Sequence, residues 1–192
     1  YSGYERMIMG STTVIADTGA PPPTQMSHNA HAGCLSFEMS SGRHPFIVNC
    51  GVDTYGAEDF RPLSRSTAAH STATINDTSS ARFVLGDGLR QLVGAPLVEG
   101  PRNVPCKRMD SDGVQSFVAR HDGYLRRFGL FHERELALSA SGDMLEGIDR
   151  IFRRGGEIAL PNGRDEVTVR FHIHPDIALL QNGRGDLFLA AP

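Results

Sequence analysis

The sequence predicts an all-β protein, specifically an antiparallel β-sandwich, on the basis of three observations. Short segments of β-branched or alternating apolar residues recur along the chain, and clusters of Gly, Pro, Asn, Asp and Ser separate them. No stretch keeps the 3.6-residue periodicity of an amphipathic helix over three turns. The 192 residues, of which 40% are hydrophobic, can bury one core, so we expect residues 1–192 to form a single sandwich domain.

The first strand and the clearest hairpin lie within the first fifty residues. Residues 12–17 are rich in β-branched side chains and are followed by three prolines, which cannot continue a sheet. Residues 35–40 then alternate between apolar and polar, residues 41–43 supply a turn, and residues 46–48 are apolar. The pattern therefore predicts one strand, an extended link and a β-hairpin.

The register of this hairpin decides which side chains meet. A turn centred on Gly42 would place Cys34 opposite Cys50, either as a disulfide or as two buried thiols. Because strand side chains alternate with a period of two, the same register directs His31 and Asn49 toward the core.

The remaining segments extend the sandwich. We expect a hairpin with strands at 67–75 and 82–85, joined by the turn 76–80. A second pair of strands is expected at 114–121 and 124–140, joined by Asp122-Gly123. Further strands are expected at 144–152 and 167–175, and a last hairpin around 182–185. Residues 93–109 contain several Gly and Pro and are expected to be irregular or at a sheet edge. Arg126, His132 and Arg134 share one face of the long strand with leucines, which predicts a bulge or bend within it.

Composition excludes several classes of function. The net charge of −3, from 19 Lys+Arg and 22 Asp+Glu, provides no basic field for nucleic acid. No apolar run is long enough to cross a bilayer. Three cysteines are too few, and odd in number, for a disulfide scaffold. The chain opens with Tyr1 instead of an initiator Met or a signal peptide, so we expect a domain excised from a larger protein.

Five motifs, in this order along the chain, carry a resemblance to a known family. They are His31-Ala32-Gly33-Cys34-Leu35-Ser36-Phe37-Glu38, Ile47-Val48-Asn49-Cys50-Gly51, Thr67-Ala68-Ala69-His70-Ser71-Thr72, His121-Asp122-Gly123-Tyr124 and Arg170-Phe171-His172-Ile173-His174-Pro175. The chain resembles the C-terminal β-sandwich domain of the heparinase II/III-like polysaccharide lyases and their relatives. The resemblance covers most of the sequence.

The resemblance implies that this sandwich packs on an N-terminal α/α toroid, with an acidic polysaccharide running between the two. Members of the family cleave uronic-acid polymers by β-elimination, a reaction that needs a positioned base and acid. Most of these groups lie in the toroid, so the resemblance implies that this domain is inactive alone. It also implies a bacterial protein of the periplasm or cell envelope.

The same resemblance implies a structural zinc site in the sandwich. His31 matches the first ligand, Asn49 takes the place of an Asp ligand, and His70 matches the last ligand. Position 29, where some members carry a catalytic histidine, is Asn29, and His28 is its neighbour, so these two are the catalytic candidates. The alternative for His31 and His70 is a pair of core histidines that hydrogen-bond each other or the backbone.

Further residues have both a functional and a structural interpretation. Asp53 could supply a carboxylate near His31. Tyr124 and Arg126 are candidate substrate contacts, although the Asp-Gly dipeptide before Tyr124 is also explained as a turn and Arg126 as part of a solvated face. Two functions follow. The first is a lyase domain that supports elimination. The second is a carbohydrate-binding or architectural sandwich, with or without a structural metal, in which Asn29 and Asn49 replace groups that the active members use.

Overall fold

The computed structural model describes residues 3–51, 60–84, 95–159 and 163–192, and strands dominate them. One sheet has five strands in the order β1-β2-β3-β4-β13. Its strands are β1 (Tyr4–Met9), β2 (Thr12–Asp17), β3 (Phe37–Ser41), β4 (His44–Val48) and β13 (His172–Ile173). All neighbouring strands in this sheet are antiparallel.

The other large sheet has four antiparallel strands in the order β11-β10-β9-β8. Its strands are β8 (Cys106–Arg108), β9 (Gln115–His121), β10 (Leu130–Leu138) and β11 (Leu145–Arg153). Three small two-stranded ladders complete the described strands: β5 (Ala73–Ile75) with β12 (Val167–Val169), β6 (Arg82–Phe83) with β7 (Leu97–Glu99), and β14 (Ala178–Gln181) with β15 (Leu187–Ala190). The described helices are short: α1 (Phe60–Ser64), α2 (Leu125–Phe128) and 3₁₀ turns at Thr24–Met26 and Thr67–Ala69.

The core lies between the two large sheets. Val14 and Phe37 of the first sheet and Phe117 and Leu138 of the second belong to one buried cluster. Two sheets that bury their inner faces against each other form a sandwich. The predicted fold class is confirmed.

The first hairpin differs from its predicted register. Met39 pairs with Ile47 and Ser41 with His44, and the register shifts between Met39 and Ser40. Leu35 is not part of the strand, because its φ of 61° lies in the left-handed region that a non-glycine residue adopts only at a cost. The predicted pairing of Cys34 with Cys50 is wrong: Cys34 is buried, Cys50 is exposed, and both thiols are free.

The long strand β10 is straighter than predicted. It pairs with β9 and β11 without any shift of register, and every second residue from Leu130 to Leu138 is buried. His132 and Arg134 therefore point into the core together with the leucines. The predicted bulge or bend is absent from β10, because these two polar side chains find hydrogen-bond partners inside the protein. The chain bends before β10 instead, at α2 and at Gly129 with its φ of 70°.

Four other boundaries also differ. The strand β1 was not predicted. Residues 67–75 form a 3₁₀ turn before β5, and β5 pairs with β12 and not with β6. The connection after Asp122-Gly123 contains α2, and the segment 167–175 is divided into β12 and β13. The hairpin around residues 182–185 is confirmed.

Candidate functional site

A cleft of about 840 Å³ lies where the segment before β3 meets the segments that follow β4. Its walls include His31, Asn49 and His70, the three residues that the resemblance implies as metal ligands, together with Asn29. Residues from three separate parts of the chain therefore meet at one surface depression. Asp53 lies outside the described residues.

His31 and His70 face each other across this cleft. Nδ1 of His31 lies 3.0 Å from Nε2 of His70, and the two rings are nearly perpendicular at 88°. Nδ1 of His70 lies 2.7 Å from the Ser66 carbonyl oxygen, to which it donates. His70 is thus held by a backbone carbonyl on the side away from His31.

These bonds determine what lies between the rings. A neutral imidazole has one N–H and one lone pair, and His70 spends its N–H on the Ser66 carbonyl. Its Nε2 therefore presents a lone pair to His31, and in the neutral pair this lone pair accepts the Nδ1 proton of His31. Burial lowers the pKa of His70 to about 4 and is also the main cause of the lowered pKa of His31, to which the charge of Arg65 adds. A second proton on the pair is therefore disfavoured near neutral pH.

Local structure holds the two histidines in place. His70 packs against the backbone of Gly33, where a Cβ atom would lie 2.8 Å from Cδ2 of the ring. The hydroxyl of Thr67, on the 3₁₀ turn before His70, donates to the Ala32 carbonyl at 2.7 Å. Arg65 is 2% exposed and donates to carbonyls at positions 27, 30 and 95. The loop with His31 and the turn with His70 are therefore one hydrogen-bonded unit.

Asn49 lines the cleft but has other partners. Its Oδ1 accepts from the Ser71 N–H at 2.8 Å, and its Nδ2 donates to Glu38 at 3.2 Å. The Asn49 amide therefore links β3 to the segment after His70. Of the three implied ligands, the two imidazoles are the ones that face each other.

The two catalytic candidates lie at the rim. His28 and Asn29 are both exposed, and the guanidinium of Arg61 donates to Asn29 Oδ1 and to the His28 carbonyl. A neutral amide such as that of Asn29 cannot remove a proton near neutral pH. Position 29 therefore contributes a hydrogen bond and brings a cationic side chain to the cleft.

The predicted substrate contacts lie elsewhere. Tyr124 is fully buried, and its hydroxyl donates to the Ala73 carbonyl at 2.8 Å. Contact with a glycan would require this side chain to leave the core. Arg126 is exposed and pairs with Glu99 at 3.0 Å.

A buried polar network behind the cleft was missed by sequence reasoning. Arg134 donates to both carboxylate oxygens of Asp149, and its other terminal nitrogen donates to the carbonyls of Leu35 and Ser71. His132 lies 2.7 Å from the same carboxylate. Burial alone would raise the pKa of Asp149, but the hydrogen bonds from His132 and Arg134 outweigh it and hold the pKa well below its ordinary value.

This network connects the cleft to the opposite sheet. Leu35 follows the loop that carries His31, and Ser71 follows His70 directly. Arg134 bonds both segments from β10, so one side chain fixes both histidine-bearing segments relative to the second sheet. The signal in the sequence was the position of His132 and Arg134 on the apolar face of a strand.

The spacing of His31 and His70 can be compared with that of two zinc ligands. Zinc bound to two imidazoles at about 2.0–2.1 Å in tetrahedral geometry separates their nitrogens by about 3.3–3.4 Å. The 3.0 Å between His31 Nδ1 and His70 Nε2 is shorter than this value and is an ordinary hydrogen-bond distance. Among the described residues, no group of three or more His, Cys, Asp or Glu side chains converges as a metal site. Further ligands would have to come from water or an amide.

Comparison of the chain with known proteins identifies its relatives. The family model for the C-terminal domain of heparinase II/III-like proteins matches residues 1–191. FtsZ-localized protein C of Caulobacter vibrioides (strain NA1000 / CB15N) is 38% identical over 181 residues, which are 92% of this chain and 30% of that protein. The chain thus spans less than a third of the length of this curated relative.

Solved structures of the same fold are more distant in sequence. A mutant of the heparan sulfate lyase HepC from Pedobacter heparinus aligns with a TM-score of 0.67 at 16% identity, over 94% of this chain and 24% of that chain. The heparinase III-BT4657 gene product aligns with a TM-score of 0.52 at 17% identity, over 79% of this chain and 21% of that chain.

No described helix is long and apolar enough to span a membrane.

The match over nearly the whole chain, together with the sandwich architecture, makes this chain a member of the heparinase II/III-like C-terminal domain family.

Proposed function

We propose that this chain is the C-terminal sandwich of a longer, lyase-related protein, and that its cleft binds an acidic polysaccharide without supplying the acid or base of an elimination. In the longer protein, the sandwich packs on an N-terminal α/α toroid, which provides the proton-transferring groups. The periplasm or cell envelope is the location that the resemblance implies. The relatives described above are about three to five times as long as the match, which supports the presence of a further domain.

The observation that carries this proposal is the chemistry of the cleft. Lowered pKa values keep His31 and His70 neutral near pH 7, and Asn29 lies where a catalytic histidine would be. Arg61, on the rim, offers a guanidinium that can bind a carboxylate. These groups can bind and orient a uronate, but they offer no base at position 29.

The proposal is tested by comparing the chain with the natural full-length protein on heparan sulfate. We expect the full-length protein to release unsaturated uronate, followed by its ultraviolet absorbance. The chain alone should bind the polymer and release none, because the toroid groups are missing. Cleavage by the chain alone, or failure of the chain to bind, would contradict the proposal.

The 38% identity with FtsZ-localized protein C supports a second function in a different class. In this proposal, the sandwich is an interaction domain of a protein that localizes with FtsZ, and the lyase chemistry has been lost. A fluorescent fusion of the full-length protein that co-localizes with FtsZ, together with no uronate release by the full-length protein, would favour this function over the first.

We also propose that His31 and His70 bind a zinc ion that ties the loop before β3 to the turn before β5. The approach of the two ring nitrogens to 3.0 Å supports this proposal, because a zinc ion would replace the proton between them. The bond from Nδ1 of His70 to the Ser66 carbonyl supports it too, since zinc-binding histidines usually donate their other N–H to such a group. The ion would have a structural role, holding two segments that are 39 positions apart in sequence.

Elemental analysis of the purified protein tests the metal proposal. We expect about one zinc per chain. His70→Ala should lose the ion, and His174→Ala, which changes a histidine outside the cleft, should retain it. A wild-type protein without metal after purification and dialysis against zinc would contradict the proposal.

A further inference from the structure

Cys50, one of the residues that line the cleft described above, meets a histidine. Sγ of Cys50 lies 3.6 Å from Nδ1 of His172. Cys50 follows β4 by two residues, and His172 begins β13, where it pairs with Val48 of β4. Sheet register thus brings together two residues that are 122 positions apart in sequence.

The hydrogen bonds of His172 fix its tautomer. Its Nε2 donates to the Ala68 carbonyl at 2.9 Å, so the lone pair is on Nδ1 and faces the thiol. The backbone N–H of His172 donates to the Ser71 hydroxyl at 2.9 Å, which holds the residue in place. A thiol beside a neutral imidazole, oriented by a third group, is the arrangement that activates cysteine nucleophiles.

The other two cysteines lack these features. Cys34 is buried, and its thiol points to the Gly19 carbonyl at 3.6 Å. Cys106 lies 3.7 Å from a carboxylate oxygen of Glu5. Burial is the main cause of raised pKa values at both, well above the ordinary value for Cys34 and to about 11 for Cys106. Cys50 combines exposure with an imidazole acceptor.

Cys50 also lines a cleft that can hold a small molecule. The cleft has a volume of about 580 Å³, and its walls include Phe60, Arg61, Leu63 and His172. Arg61 donates to two neutral oxygens, Asn29 Oδ1 and the His28 carbonyl, and it pairs with no carboxylate of the residues that the structure describes. A ligand with an apolar body and carboxylates suits these walls.

We propose that Cys50 is a reactive thiol, assisted by His172, that undergoes exchange with low-molecular-weight disulfides bearing carboxylates. The Cys50 thiol gives its proton to Nδ1 of His172, and its sulfur attacks one sulfur of the disulfide. A new S–S bond forms, the old one breaks, and the leaving thiolate takes the proton from His172. Cys50 is oxidised, and one half of the disulfide is reduced to a thiol.

The experiment treats the purified protein with oxidised glutathione in the presence of a chelator and follows the adduct by mass spectrometry. We expect one glutathione adduct per chain, on the peptide that contains Cys50. The adduct should be absent in Cys50→Ser and unchanged in Cys106→Ser. An adduct on Cys34 or Cys106, or no adduct, would overturn the proposal.

The assistance by His172 has its own test. His172→Gln removes the Nδ1 acceptor and can still donate to the Ala68 carbonyl, so the fold should be preserved. We expect the exchange rate constant at pH 7 to fall about tenfold. Imidazole added to the buffer should restore part of the lost rate in His172→Gln and leave the wild-type rate unchanged, because it can accept the thiol proton in place of the side chain. Equal rates in the two proteins, or no recovery of the variant with imidazole, would overturn the role of His172.

The charge preference is tested with a matched pair of disulfides. Wild-type protein should react faster with oxidised glutathione, which carries carboxylates, than with cystamine, which carries amines. Arg61→Gln should reduce this preference by about threefold. An unchanged preference in Arg61→Gln would overturn the assignment of Arg61 as the carboxylate-binding group.

Discussion

Replacing Arg134 by methionine is expected to lower the free energy of unfolding by about 3–5 kcal/mol. The guanidinium is 1% exposed, and it pairs with both oxygens of Asp149 at 2.8 and 2.9 Å. Methionine fills a similar volume but leaves the carboxylate without its charged partner and two backbone carbonyls without donors. Urea unfolding followed by circular dichroism measures the change.

Arg150→Met is the matched control. Arg150 lies on the neighbouring strand β11 and pairs with Glu133 and Glu135, but its side chain is 30% exposed. Water solvates these charges when the pair is broken, so we expect a loss below about 1 kcal/mol. Equal losses in the two variants would contradict the importance of burial in this network.

Acidification from pH 7 to pH 4 is expected to destabilise the protein by several kcal/mol, because buried histidines must remain neutral in the folded state. The pKa of His70 falls from its ordinary value of 6.5 to about 4 on folding, with burial as the main cause. Burial also lowers the pKa values of His121 and His132. Between pH 6.5 and 4 the unfolded chain binds more protons than the folded one, so stability is lost as the pH falls through this window.

One carboxyl group opposes this trend. Burial raises the pKa of Asp17 to about 6, so the folded state binds a proton there that the unfolded chain does not bind until about pH 4. We expect the histidines to dominate because several of them act in the same direction. Stability measured at a series of pH values, with a chelator present, gives the net slope. A stability that rises toward pH 4 would contradict this expectation.

His70→Gln isolates the share of one histidine. Glutamine does not titrate, so the difference in stability between wild type and variant should shrink by about 3 kcal/mol from pH 7 to pH 4. A difference that stays constant with pH would show that His70 does not titrate as proposed.

The parts of the fold that could be predicted from sequence were those with regular alternation. The strands β9 and β11 lie within two residues of the predicted segments, because apolar residues alternate there and Gly142 marks the turn. The first hairpin was placed correctly but its register was not. A bulge after Met39 and the left-handed backbone of Leu35 are local deviations that no alternation pattern reveals.

The residues of the candidate site were also predicted only in part. The resemblance led to His31, Asn49 and His70, and the structure brings all three to one cleft. Arg134 was interpreted as a sign of a bulge, because a charged residue on an apolar face is costly unless it is paired. Its partner Asp149 lies directly opposite on the neighbouring strand β11, and this position depends on the register in which the two strands pair. Sequence alone therefore could not predict that the charge is compensated inside the core.

The bonds from Arg134 to Leu35 and Ser71 also concern how the protein forms during synthesis. They join residues 99 and 63 positions apart, so neither can form until β10 has left the ribosome. At a synthesis rate of about 5–20 residues per second, roughly 3–13 seconds pass between the synthesis of the segment with His70 and that of Arg134. Until then the loop and the turn that carry the two histidines lack their contact with the second sheet. The cleft is thus completed only after β10 has been synthesised.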